Sequence, residues 1–240
     1  MTTLIFLVVI LVPGVLFGLW WQKESKRRAE QRLADARAEA QRWYERLGGQ
    51  LMNLQGDQPA VKQALADASE RYNAAGAQLE RADSVHQYRL AQETALEGLT
   101  YVRAARVALG LDPGPELPPL AAAAGAGRLT KEREVEVQGQ TFKAGPEPGD
   151  DTPYYYPGGR VNGRPVPAGW YSQPIWKPAL AGAAGAIGGM LIFDALFSPA
   201  FADPGYSAGY EQGFQDGLDF DPGADGGDVG GDFGDFGGDF

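Results

Sequence analysis

Cysteine is absent from the 240 residues and histidine occurs once, at His86. Disulfides and cysteine-ligated metals are therefore excluded, and a transition-metal site has too few of its usual donors. There is no Walker A loop, and no strand leads into a Gly-x-Gly-x-x-Gly helix start, so two signatures of phosphate and dinucleotide binding are missing. Basic residues are absent from Asp203 to Phe240, where nine Asp and one Glu stand. That tail alone carries the formal net charge of −10, leaving 21 basic and 21 acidic residues to balance in the other 202. A nucleic-acid binder concentrates basic charge on one surface, and an acidic tail repels phosphate, so nucleic acid is set aside as a partner. On these absences the chain reads as a protein without enzymatic activity and without a cofactor. Glu93, Glu97 and Arg103 would have to converge in a cleft to change that reading.

What is present begins with Leu4–Trp21, eighteen uncharged residues closed by a tryptophan pair and followed by Lys23, Lys26, Arg27 and Arg28. At about 1.5 Å per residue such a helix nearly spans a hydrocarbon core of roughly 30 Å. A cleaved signal peptide fits less well, since Met1-Thr2-Thr3 has no basic side chain and no Ala-x-Ala site follows. Residues 1–22 therefore read as a transmembrane anchor, with the basic run on the cytoplasmic side. A second apolar run, Ala179 to Phe197, opens after Pro178 and is interrupted only by Asp194. Residues 178–202 read as a second span. Together they predict a two-span cell-membrane protein with residues 23–177 cytoplasmic and the tail extracytoplasmic. Gly14 and Gly18 face Gly182 and Ala186 at matched depth in that arrangement, two small-residue pairs that would let the helices approach.

Between the apolar runs, residues 23–111 form a helical domain by pattern. Ala29, Leu33, Ala36, Ala40, Trp43, Leu47 and Leu54 make a narrow seam of the coiled-coil kind. Gly48-Gly49 weakens it and is expected to end or bend the helix. Asp57-Gln58-Pro59 looks like a new helix start, and Val61, Leu65, Ala68, Tyr72, Ala75, Leu79 and Ala82 keep a 4-3 spacing after it. Ser84 with Gln87 has capping-box form and opens a third helix, which Gly110 and Pro113 stop. The seam of the first helix suggests self-association or a protein partner.

Residues 112–127 are a Pro/Ala/Gly linker. Residues 128–177 give a weak β signal: alternation over Thr130–Val137, a turn at Gln138-Gly139, and an Asn162-Gly163 turn. Its prolines argue against a central sheet, so the segment reads as an extended, aromatic piece at the membrane interface. Tyr154, Tyr155, Tyr156, Trp170, Tyr171 and Trp176 are its candidate docking residues. Residues 203–240 repeat Gly, Asp and Phe and are expected to be disordered, with the aromatics as adhesive points. Neither a β-roll repeat nor an EF-hand loop is spelled there, so calcium attraction would be weak.

The stretches Ala91–Arg106 (AQETALEGLTYVRAAR), Thr152–Gly159 (TPYYYPGG) and Pro165–Ser172 (PVPAGWYS) resemble a family of actinobacterial membrane proteins whose members end in Gly/Asp/Phe tails. The resemblance covers most of the chain. It implies a cell-membrane setting and assigns no activity or catalytic residue. The fold class expected is a mainly α membrane protein: two transmembrane helices flanking a three-helix, coiled-coil-like domain, a short Pro/aromatic β-like segment and a disordered tail. The function expected is a non-enzymatic membrane scaffold or assembly protein. The alternative is an envelope binding module that captures a partner or polymer through the aromatic segment or the tail.

Overall fold

The structure is a computed structural model describing residues 2–137, 139–161, 163–176, 192 and 195–197, with side chains from Trp20 onward. Helix α1, Thr2–Leu51, runs without a break for 50 residues, about 75 Å at 1.5 Å per residue. The Gly48-Gly49 pair does not interrupt it. Gly48 serves instead as a gap, because a Cβ there would lie 2.9 Å from Tyr72 Cε2. Asn53 caps the helix end by donating from Nδ2 to the Gly49 carbonyl at 2.6 Å, which satisfies one of the carbonyls a helix terminus leaves open.

Helix α2, Pro59–Arg81, has its proline at the first helical position, but its N-cap Gln58 makes no side-chain cap bond. Asp57 turns outward to pair with Lys62 at 3.1 Å. Helix α3, Val85–Ala108, opens on the capping box: Ser84 Oγ accepts from Gln87 N, and Gln87 Oε1 accepts from Asp83 N at 2.8 Å. It closes on Gly110, whose φ of 69° permits a Schellman turn. There Leu111 N donates to the Arg106 carbonyl and Gly110 N to that of Val107.

Helix α3 is central, and half of its buried residues are small: Ala91, Ala95, Gly98, Ala104 and Ala105, beside Tyr88, Leu96, Leu99, Tyr101 and Val102. Small residues let neighbours close in. At Gly98 a Cβ would meet Leu47 of α1 at 2.5 Å and Arg71 of α2 at 3.1 Å. Alanines of α2 (Ala60, Ala64, Ala68, Ala75) face it, and Ala40 and Leu47 of α1 complete the packing.

The second part is β. Strands β1 (Arg133–Val137), β2 (Gln140–Gly145), β3 (Tyr154–Tyr156) and β6 (Gly169–Tyr171) form an antiparallel sheet in the order β1-β2-β6-β3, and β4 (Gly159–Val161) pairs with β5 (Arg164–Val166) as a separate ribbon. Two-residue turns join Val137 to Gln140 and Val161 to Arg164, with Gly139 and Gly163 at positive φ. A sheet therefore stands where proline content argued for an extended interfacial segment. The reason is local: β6 contains no proline and occupies an inner position, while Pro165 is confined to the two-stranded ribbon.

Register fixes what each face of the sheet does. Tyr155 lies opposite Trp170, and Tyr154 opposite Tyr171. Since side chains alternate between faces, Tyr155 and Trp170 point to the helices, where Trp170 packs with Ala60, Val61, Ala64, Ala104 and Ala105. Tyr171, Phe142 and Ala144 point the other way and are covered by Leu129, Val166, Ile192, Leu196 and Phe197.

That cover corrects the second span. Ile192, Leu196 and Phe197 are 7 %, 1 % and 5 % exposed within the protein's own core, and buried Arg133 donates from Nη1 to the Leu196 carbonyl at 2.7 Å. Apolar residues that cover a sheet do not face lipid. Among the described residues no helix is long and apolar enough to cross a membrane. The two-span fold class is overturned in favour of helices packed on antiparallel strands, and the placement of 23–177 in the cytoplasm and of the tail outside falls with it. The side chains of residues 4–19 lie outside the described residues, as do residues 177–191 and the whole tail.

Candidate functional site

Glu93, Glu97 and Arg103 do not converge. Arg103 Nη1 donates to the carbonyls of Gly114, at 2.7 Å, and Pro115, tying the end of α3 to the linker. Glu93 Oε2 accepts from Ala121 N at 3.4 Å. Glu97 faces Arg71 of α2, with Oε2 3.6 Å from Nη1, and Arg71 also holds Glu70 at 3.2 Å. Burial pushes the Glu97 carboxyl above its ordinary value, Arg71 opposes that shift, and Glu70, Asp67 and Glu93 add to it. Nearby, Asp67 is 4 % exposed and accepts from Gln63 Nε2 at 3.2 Å.

Around this charged group stand three tyrosines whose hydroxyls burial holds in the protonated form. Tyr101 is raised by burial and then by Glu97 and Asp67, Tyr155 is raised by burial, and Tyr156 reaches about 12 by burial and Glu97. A protonated buried phenol is neither a base nor a nucleophile at neutral pH. His86 sits exposed in the first turn of α3, eleven residues before Glu97, or roughly 16 Å along the axis. The Glu97–Arg71 pair links α3 to α2. Among the described residues no group of three or more His, Asp or Glu side chains is disposed to hold a metal.

The six aromatics picked out from the sequence are brought together, and mostly inward. Trp170 and Tyr171 are 2 % and 1 % exposed. Tyr155 meets Tyr101 edge-on at 6.1 Å and Trp170 at 5.1 Å, bridging α3 to the sheet. Tyr156 stacks on Trp176 at 4.5 Å, and Trp176 meets Tyr171 at 5.3 Å. Tyr154, Tyr155, Tyr156 and Trp176 are half-buried. Gly14, Gly18, Gly182 and Ala186, the proposed helix-packing set, lie outside the described residues.

An open depression of about 530 Å³ lies at the sheet edge, lined by Glu132, Glu134, Glu147, Asp150, Asp151 and Lys143 among others. Lys143 Nζ reaches Asp151 at 2.8 Å and Glu134 at 3.9 Å. The contact raises the Lys143 ammonium and lowers the Asp151 carboxyl, each through the other.

One interlock was legible and missed. Tyr-x-x-x-Gly occurs at Tyr44/Gly48 and again at Tyr72/Gly76. The two tyrosines stack at 4.5 Å and 3°, each ring lying over the other helix's glycine, since a Cβ on Gly76 would be 3.0 Å from Tyr44 Oη. The hydrogen bond with Tyr72 is the first of the effects that lift Tyr44 to about 12. Gly205-Tyr206-Ser207-Ala208-Gly209 spells Gly-x-Ser-x-Gly and lies outside the described residues.

The largest uncovered feature is α1 itself. From Trp20 to Arg32 every side chain except half-buried Glu24 is exposed, whereas Ala40 and Leu47 farther along are fully buried. α2 and α3, with 23 and 24 residues, are each about 35 Å long and match less than half of α1. No protein-family model, curated protein or solved structure matches the chain, so no activity is carried to it from a relative.

Proposed function

We propose that the protein is a non-enzymatic assembly protein that joins copies of itself through α1, with the α2–α3–sheet unit fixed at one end of that rod. The observation that carries this reading is the seam of α1. Ala40 and Leu47 are buried against the bundle, Leu33 and Ala36 are half-buried, and Ala29 on the same seam is exposed. The seam thus continues past its own partners and into the eighteen uncharged residues of Leu4–Trp21. A helix of this kind is stabilised by burying its apolar face against another helix rather than by intrinsic propensity. A second α1 supplies the same seam, and small residues allow close approach.

The absence of cysteine makes the test direct. Ala29→Cys in the full chain should form a disulfide-linked dimer under mild oxidation, and light scattering of the unmodified protein should give a mass above one chain. Arg27→Cys, off the seam, should crosslink several-fold less. A protein that is monomeric in light scattering, with equal crosslinking at both positions, would sink the reading.

A further inference from the structure

α1 carries a collar of positive charge. Lys23, Lys26, Arg27, Arg28 and Arg32 are all exposed, against Glu24 and Glu30. At 100° per residue these five surround the helix, within about 14 Å of its length. Among the described residues only Arg28 of the five has an ion-pair partner, Glu24 at 3.2 Å on the surface. Trp20 and Trp21, 60 % and 63 % exposed, lie at the edge of the collar.

The chain holds a segment of matching chemistry. Asp203–Phe240 has ten acidic and no basic residues, and four times an Asp is followed directly by Phe: Asp219-Phe220, Asp232-Phe233, Asp235-Phe236 and Asp239-Phe240. Each such pair sets a carboxylate beside a ring, as the collar sets guanidinium and ammonium groups beside indoles. Carboxylates neutralise the cations, and Phe faces attract Arg and stack on Trp.

We infer that the Gly/Asp/Phe tail docks on the basic collar of α1. Reach allows it. The 43 residues after Phe197 reach at most about 140 Å at full extension, nearly twice the length of α1. Arg27 stands twenty residues, about 30 Å, along α1 from the bundled Leu47. The contact is a matter of charge and stands whether or not α1 self-associates. A tail from the same chain or from a second copy supplies the same groups.

The test uses the full chain with Phe233 replaced by the photo-crosslinking p-benzoylphenylalanine. Adducts should map to residues 20–32, and their yield should fall several-fold between about 0.05 and about 0.5 M NaCl as the Debye length shortens. Doubled mass of the adduct marks a tail from another copy. Lys23→Glu, Lys26→Glu, Arg27→Glu and Arg28→Glu together should remove the adduct. The corresponding Gln set, checked for unchanged helicity by circular dichroism, should weaken it. Adducts that map to the sheet unit, or that survive charge reversal, would overturn the proposal. So would a tail that gives no adduct while a labelled polyphosphate binds the collar, which would then belong to another polyanion.

Discussion

Glu97 shows how one residue can carry a pH dependence without carrying chemistry. Its carboxyl is raised above the ordinary 4.5 chiefly by burial, against the pull of Arg71. Between the ordinary and the raised value the folded state keeps a proton that the unfolded chain has released. Stability therefore falls as pH rises through that window, and Glu97's contribution is fully present only below it. Glu97→Gln mimics the protonated side chain at every pH. We expect its urea midpoint to equal that of the parent near about pH 4 and to exceed it near about pH 7, where the parent carboxyl is ionised. A variant less stable than the parent at neutral pH would show that Arg71's attraction outweighs burial. The local position of Glu97 on a helix could be read from its sequence, but Arg71 facing it could not, because the two are brought together only by the α2–α3 crossing.

The same divide between local and long-range causes runs through the elements. Ser84, Gln87 and Gly110 are legible because caps act within four residues of themselves, and the helix they bound forms between them. Gly48-Gly49 misleads because helix propensity counts only the local cost of glycine, about 1 kcal/mol each, whereas Gly48 is placed by a ring on another helix. The two neighbours should therefore respond in opposite senses. Nothing lies within 4 Å of a Cβ on Gly49, but Tyr72 blocks one on Gly48. Gly49→Ala should stabilise by roughly 0.5–1 kcal/mol, while Gly48→Leu should cost about 1–3 kcal/mol by overpacking, most of it recovered when Tyr72 is also replaced by Ala. Urea unfolding reads both; a shared sign would discard the Tyr–Gly interlock. The sheet was obscured for a related reason. Proline content over 128–177 as a whole argues against strands although β6 is free of it, and apolar residues that cover a sheet look in composition like ones that span a bilayer. Only the contacts of Ile192, Leu196 and Phe197 separate the two.

At the scale of the whole molecule, one seam decides whether the helices and the sheet behave as a single body. Tyr101 meets Tyr155, Tyr155 meets Trp170, and Trp170 enters a socket of Ala60, Val61, Ala64, Ala104 and Ala105. The alanines are small so that an indole fits between two helices, and the indole is buried to 2 % exposure. Removing it leaves a large cavity at the joint rather than inside either part. Trp170→Ala should cost about 3–5 kcal/mol, the range for losing a buried Trp or Phe. More tellingly, it should split the transition. In the parent, helix signal in the far ultraviolet and aromatic signal in the near ultraviolet should melt together, as they do when one cooperative unit unfolds. In Trp170→Ala the part of the aromatic signal that comes from the Tyr154–Trp176 cluster should be lost first, because the sheet loses its helical support while α1, α2 and α3 keep their own alanine packing. Coincident melts in the variant would mean that the sheet is held to the helices by contacts other than this seam. The rod, the bundle and the sheet would then be coupled along a broader surface than Trp170 and Tyr155 provide.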